Sequence, residues 1–254
     1  MPFELFLPAQ FYAFFLVFAR MGSAVMLMPG IGEGLVSTRV RLTFALLLAF
    51  VVLPAVQPVL PPMPATVPGL TLLVAGEVLV GFFIGSIARI ALLLLETAGF
   101  IISMQIGLAS AQAFNPSLGT QGSLPGAFLG TLGLLMIFVT NLHHLFLLGL
   151  VDSYTIFQPG MALPLGDFSH EITRMVADGF RVALQISAPL LVIGTLFYCG
   201  LGILSRLMPQ LQIFFVALPV QLTLGLFLFS LILSAAMMWF LRYYESVLTR
   251  FLSP

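Results

Sequence analysis

The chain has 254 residues; 60% are hydrophobic and only 7% are charged, with nine arginines, nine acidic residues and no lysine. A soluble domain carries about 25% charge to cover its surface, so the composition excludes a soluble enzyme, a nucleic-acid binder with a basic face and a disordered chain. One cysteine, Cys199, excludes an intrachain disulfide framework and a cysteine-rich metal site.

The first ten residues, MPFELFLPAQ, hold one charge, Glu4, where a cleavable signal needs positive charge. A retained apolar helix is expected at 9–28. Pro29 and three glycines break the chain at 28–39, and a second helix is expected at 42–60. Residues 54–68 contain six prolines, which predict an extended or kinked connection. Helices are expected next at 70–95 and 97–113, then a polar loop at 109–126, a helix at 126–151 and a soluble-looking loop at 157–174. Two last helices are expected at 176–205 and 213–241, with a short turn between them. The longest charge-free stretch, 97–151, has 55 residues, and a span needs about 20. In lipid, backbone groups must pair within the segment, so helix is favoured over open strand. The prediction is an all-α membrane protein, one domain over 1–254, with no convincing repeat.

Arg39 and Arg41 place the first loop in the cytoplasm. Alternation then puts 152–172 outside, in agreement with Asp152, Asp167 and Glu171, but it also puts Arg242 and Arg250 outside, which disagrees. Either one segment is re-entrant or not every apolar helix crosses.

Arg20, Glu77, Arg89, Glu96, Asp178, Arg181 and Arg206 lie in or at the edge of apolar helices. A charge at mid-bilayer costs at least about 2.5–3.5 kcal/mol, so such residues face protein or water. They form either an ion path or ion pairs that fix helix packing; Asp178 and Arg181, three apart, could pair within one helix. Gly99, Ser103, Gly107 and Ala111 recur every four residues on one face, and Gly81 with Gly85, and Gly126 with Gly130, form GxxxG pairs that admit close helix packing. His143 and His144 are about 100° apart on a helix and do not make a metal pair. No GxSxG or Walker motif is present, and no metal or cofactor is expected.

The loop at 109–126 is polar yet uncharged, with Ser110, Gln112, Asn115, Ser117, Thr120, Gln121 and Ser123 around Phe114 and Pro116. Irregular backbone at membrane depth survives only inside protein or against a water-filled cavity. The loop is either a pore lining or plug, or an ordinary surface connection.

An ordered set of residues resembles the FliR/SctT family of type III export-gate proteins along nearly the whole chain. It comprises Arg20, Pro29, Arg39 and Arg41; Gly76-Glu77 with Gly81 and Gly85; and Gly99, Gln105 and Gly107. Asn141 to His144, Asp152-Ser153, Ala188-Pro189 and Gly200 to Arg206 follow. The most specific run is Met208-Pro209-Gln210-Leu211-Gln212-Ile213-Phe214, with Pro219 after it. Tyr198-Cys199 departs from the family, which often has Asn before the Gly-Leu-Gly turn.

The resemblance implies a non-enzymatic core subunit of the flagellar export gate in the bacterial inner membrane and basal body. It implies helical hairpins that co-assemble with FliP and FliQ into a pore, FlhB and FlhA as further partners, and unfolded proteins as substrates. It implies a FliP-like part at 1–170, a FliQ-like hairpin at 171–254, and a plug at 109–126 carried by Ser110, Gln112, Phe114, Asn115, Pro116, Ser117 and Gln121. The alternatives are a virulence-type injectisome subunit and a small-solute transporter, though a transporter would show inverted repeats.

Overall fold

The computed structural model describes residues 3–34, 36–108, 123–208 and 213–251, and every regular element among them is helical. In chain order these are α1 (Phe3–Leu27), α2 (Thr38–Val56) with a 3-10 turn at Gln57–Val59, α3 (Val67–Gln105), α4 (Leu124–Val139), α5 (Leu142–Ile156), α6 (Leu165–Leu207) and α7 (Ile213–Leu248), which ends in a 3-10 turn at Thr249–Phe251. Five of them, α1, α2, α3, α6 and α7, are long and apolar enough to cross a membrane; counting the bent pair α4–α5 as one span gives six.

Three expectations from sequence need correction. Residues 70–95 and 97–113 are not two helices: α3 runs unbroken through Glu96. A carboxylate changes where a helix can be buried but removes no backbone hydrogen bond, so it does not end one. What ends α3 is Gly107, whose φ of 80° lies in the left-handed region that glycine adopts at helix C-termini. Residues 126–151 are not one helix either. The chain bends by 73° between α4 and α5, where Asn141 takes φ 60° and ψ 18°; asparagine tolerates this conformation better than most residues. Finally, 157–174 is not all loop. Helix α6 starts at Leu165 with Asp167 in its first turn, where a carboxylate meets the positive end of the helix dipole.

The chain packs as two compact units, and the long helices contribute to both. The first comprises Met1–Ala91, Ile137–Met175 and Tyr244–Pro254; the second comprises Leu92–Met136 and Val176–Tyr243. In the first, Leu16, Met21, Ile87, Phe146, Tyr154 and Tyr244 are fully buried. Gly81 lies so close to α1 that a Cβ would overlap Ser23 Oγ and the Arg20 carbonyl, and one at Gly85 would stand 2.8 Å from Leu27 Cβ. Phe83 stacks on Phe168 with ring centroids 4.0 Å apart, and Phe157 meets both rings edge-on. In the second unit, Leu95, Ile102, Ile106, Leu129 and Phe240 are fully buried, and α3 crosses α4 backbone to backbone where Gly99 meets Gly126.

The topology conflict also has a structural counterpart in the first unit. Arg250 Nη1 donates to Glu171 Oε1 at 3.0 Å, which sets the C-terminal turn beside the acidic start of α6. The pair puts Arg250 on the same side as Glu171, so this arginine stays at odds with the charge rule.

Candidate functional site: a buried charge cluster and the foot of the polar loop

In the first unit α1, α3 and α5 converge on Arg20, which is wholly buried, and Glu77, which is 2% exposed. Close passage of α3 over α1 at Gly81 brings the two side chains level. Arg20 Nε donates to Glu77 Oε2 at 2.7 Å and Nη2 to Glu77 Oε1 at 2.9 Å, a bidentate pair. Nη1 donates to Ser153 Oγ at 3.1 Å, and Nη2 also to the Phe157 carbonyl at 2.8 Å. The Tyr154 ring covers the guanidinium at 3.9 Å. Ser153 Oγ in turn donates to the Leu150 carbonyl at 2.7 Å. Carboxylate, hydroxyl, carbonyl and aromatic face together replace most of the water that both charges lose, while the Tyr154 hydroxyl beside them is buried with no partner among the described residues. A cleft of about 530 Å³ runs past it, bordered by Gly69, Leu72, Gly76, Gln158 and Met161. Of the two readings of the intramembrane charges, this pair has the geometry of packing.

The other charges are not drawn together. Arg89 is half-buried; Glu96 is exposed, as is Arg206 in the last turn of α6. Asp178 and Arg181 make no ion pair with each other. The rings of His143 and His144 approach to 4.2 Å between centroids, nearer than their angular separation suggests, and Phe138 stacks on His143. Arg41, read as a topology signal, also holds its own loop: its guanidinium donates to the carbonyls of Val36 and Glu33.

In the second unit a polar cluster closes the end of α3, next to the 109–126 segment. Gln221 on α7 is 8% exposed. Its Nε2 donates to the Gln105 carbonyl at 2.8 Å and to Tyr198 Oη at 2.9 Å, and Tyr198 Oη donates to the Met104 carbonyl at 3.4 Å. These side chains from α6 and α7 take up carbonyls that the last turn of α3 leaves free. Gly107 lies against the Gln221 carboxamide, where a Cβ would stand 3.1 Å away. Ser103 Oγ and Gln105 Oε1 are buried with no partner among the described residues. Of the small-residue stripe, Gly99, Ser103 and Gly107 are buried. Ala111 and the loop residues Ser110, Gln112, Phe114, Asn115, Pro116, Ser117 and Gln121 lie outside the described residues.

Gln221 and Tyr154 were missed by the sequence reading. The signal for Gln221 was available: it is a lone amide in a long apolar helix, where a polar side chain needs a partner. Tyr198, noted only as a departure from a family pattern, accepts a hydrogen bond from that amide.

A family model described as bacterial export proteins, family 1, matches residues 11–247. The chain is 45% identical over 237 residues to the flagellar biosynthetic protein FliR of Caulobacter vibrioides, covering 93% of this chain and 94% of that one. It is 33% identical to FliR of Bacillus subtilis, covering 85% and 83%. It is also 33% identical to Yop proteins translocation protein T of Yersinia pestis, over 60% of this chain and 59% of that one.

Proposed function

Since the chain belongs to the FliR family of bacterial export proteins, which are membrane proteins of flagellar biosynthesis and not enzymes, we propose that it is a core subunit of the flagellar type III export gate. In this reading it co-assembles in the inner membrane, at the flagellar basal body, with FliP- and FliQ-type subunits, with FlhB- and FlhA-type partners around them, and unfolded flagellar proteins pass through the pore. Residues 1–170 play the FliP-like part and 171–254 the FliQ-like hairpin. The near full-length match to a flagellar relative favours the flagellar system over an injectisome.

One geometric observation carries the co-assembly. Helix α6 has 43 residues, about 65 Å at 1.5 Å per residue, against a hydrocarbon core of about 30 Å. Past its polar first turns, large apolar side chains are exposed from Val176 at 52% through Phe180, Val192 and Ile203 to Leu207 at 72%, a stretch of about 48 Å. Lipid tails can cover only part of such a stripe; sister helices cover the remainder.

The uncharged 109–126 loop is proposed as the plug. Its uncharged composition supports this, since it can seat in a narrow constriction without burying unpaired charge. The test is deletion of Asn115 to Gly122 in cells with the other gate subunits intact. The expected result is ion leak through an assembled complex, read from membrane potential. Normal export without leak would leave the loop a plain connection.

A further inference from the structure

We propose that Glu96, with Leu93 and Phe100 beside it on α3 and Ala127 and Thr131 on α4, forms a docking face for a helix of a partner membrane subunit that carries an arginine or lysine opposite the Glu96 carboxylate. The inference rests on the export-gate reading above, because it needs partner subunits.

Glu96 is the lone charge in residues 90–151. It is exposed, and it makes no ion pair among the described residues. It lies inside α3, nine residues before that helix ends, so about 14 Å of helix separate it from the terminus. No side chain spans that distance, and glutamate is shorter than the arginine and lysine that snorkel to an interface. It is also pinned at its root. Where α3 crosses α4, Gly126 lies against the Glu96 backbone, and a Cβ on Gly130 would stand 3.4 Å from Glu96 Cγ. The carboxylate lies along α4 at Gly130, where a Cβ would stand 3.6 Å from Glu96 Oε1, and the residue stays exposed on the rim of the crossing.

The surface around it is apolar and low. Leu93, Glu96 and Phe100 share one side of α3 at spacings of three and four; Leu93 is 39% and Phe100 55% exposed. Ala127 and Thr131, one turn apart and each next to a crossing glycine, are exposed on α4. Thr131 Oγ1 donates to its own Ala127 carbonyl at 2.8 Å, so it asks nothing of a visitor. Small residues of this kind let a third helix approach closely. Acyl chains could cover the carbon surface, but they offer nothing to a carboxylate, and acidic groups within spans pair with other groups of the protein. Charge complementarity thus selects a protein helix with a cation at that level.

The test uses the complete export apparatus in cells, with a photoreactive benzoylphenylalanine at position 100 and, as a buried control, at Ala98. Glu96→Gln and Glu96→Arg are compared with the unaltered chain for the amount of gate complex recovered on a tag. The expected result is an adduct from position 100 to a membrane subunit, mapping within a turn of an arginine or lysine, and none from position 98. Glu96→Arg lowers recovery about ten-fold, because like charges then face each other across a desolvated contact. The neutral, nearly isosteric Glu96→Gln keeps the chain at its normal level in the membrane and lowers recovery less. If the unaltered complex assembles but position 100 labels lipid alone, or Glu96→Arg assembles fully, the docking face is wrong and the gate reading stands. If the unaltered chain recovers no membrane subunit at all, the gate reading falls and takes this inference with it.

Discussion

Arg20 donates four hydrogen bonds and has an aromatic lid, so the cost of hiding its charge is met only while every partner is present. Removing one side of a buried ion pair leaves the other uncompensated, at about 3–5 kcal/mol. Glu77→Ala should therefore lower the thermal midpoint of the purified complex sharply. The double replacement Arg20→Met with Glu77→Leu should be milder than either single loss, because no charge is left stranded. Equal damage from single and double variants would show that the polar groups do more than cancel one another. Arg20→Lys keeps the charge but loses the planar fork, leaving Ser153 or the Phe157 carbonyl short of a donor, at about 1–3 kcal/mol. Sequence alone marked Arg20 and Glu77 as costly charges that needed company. It could not show that they accompany each other, because 57 residues separate them and no local spacing links α1 to α3.

At the scale of elements, the glycines separate into those that permit a crossing and those that do not. A side chain at Gly99 would overlap the Gly126 backbone, whereas Gly202 on α6 has nothing within 4 Å. Gly99→Val should cost about 1–3 kcal/mol or more, since backbone cannot move aside as a side chain can. Gly202→Ala should be neutral or stabilising by about 0.5–1 kcal/mol. Parallel denaturation in detergent checks both, and equal effects would mean that the α3–α4 crossing is not what holds the second unit. The GxxxG spacings were readable because close packing imposes a four-residue repeat; which helices they join was not, since Gly81 turns to α1 and Gly126 to α3. Helix breaks were harder to read. Glu96 drew attention as a charge yet leaves α3 straight through, while Asn141 sits in an apolar run and turns the chain by 73°. Its cost falls on φ, which composition does not register. Asn141→Gly should leave stability unchanged within a few tenths of a kcal/mol, and Asn141→Val should cost about 1–2 kcal/mol, as a β-branched residue resists the left-handed region.

For the whole molecule the question is what covers so much carbon. The membrane class was legible from the scarcity of charge, but composition cannot divide apolar surface between lipid and protein, because the same side chains suit both. Helix length divides them: α3, α6 and α7 have 39, 43 and 36 residues, where about 20 span a bilayer. Cys199 offers a direct reading of that division. It is the chain's one cysteine, it is exposed, and it lies on α6 eight residues before the helix ends. A water-soluble maleimide applied to membranes should label it when the chain is expressed without FliP- and FliQ-type subunits, and labelling should fall at least about ten-fold when they are present, as a packed helix contact excludes the reagent. Protection in both strains would put Cys199 in lipid and shift the surplus apolar surface to the other end of α6. Labelling in both would expose this stretch to water in the finished assembly, and sister helices would then not sheathe the apolar part of α6.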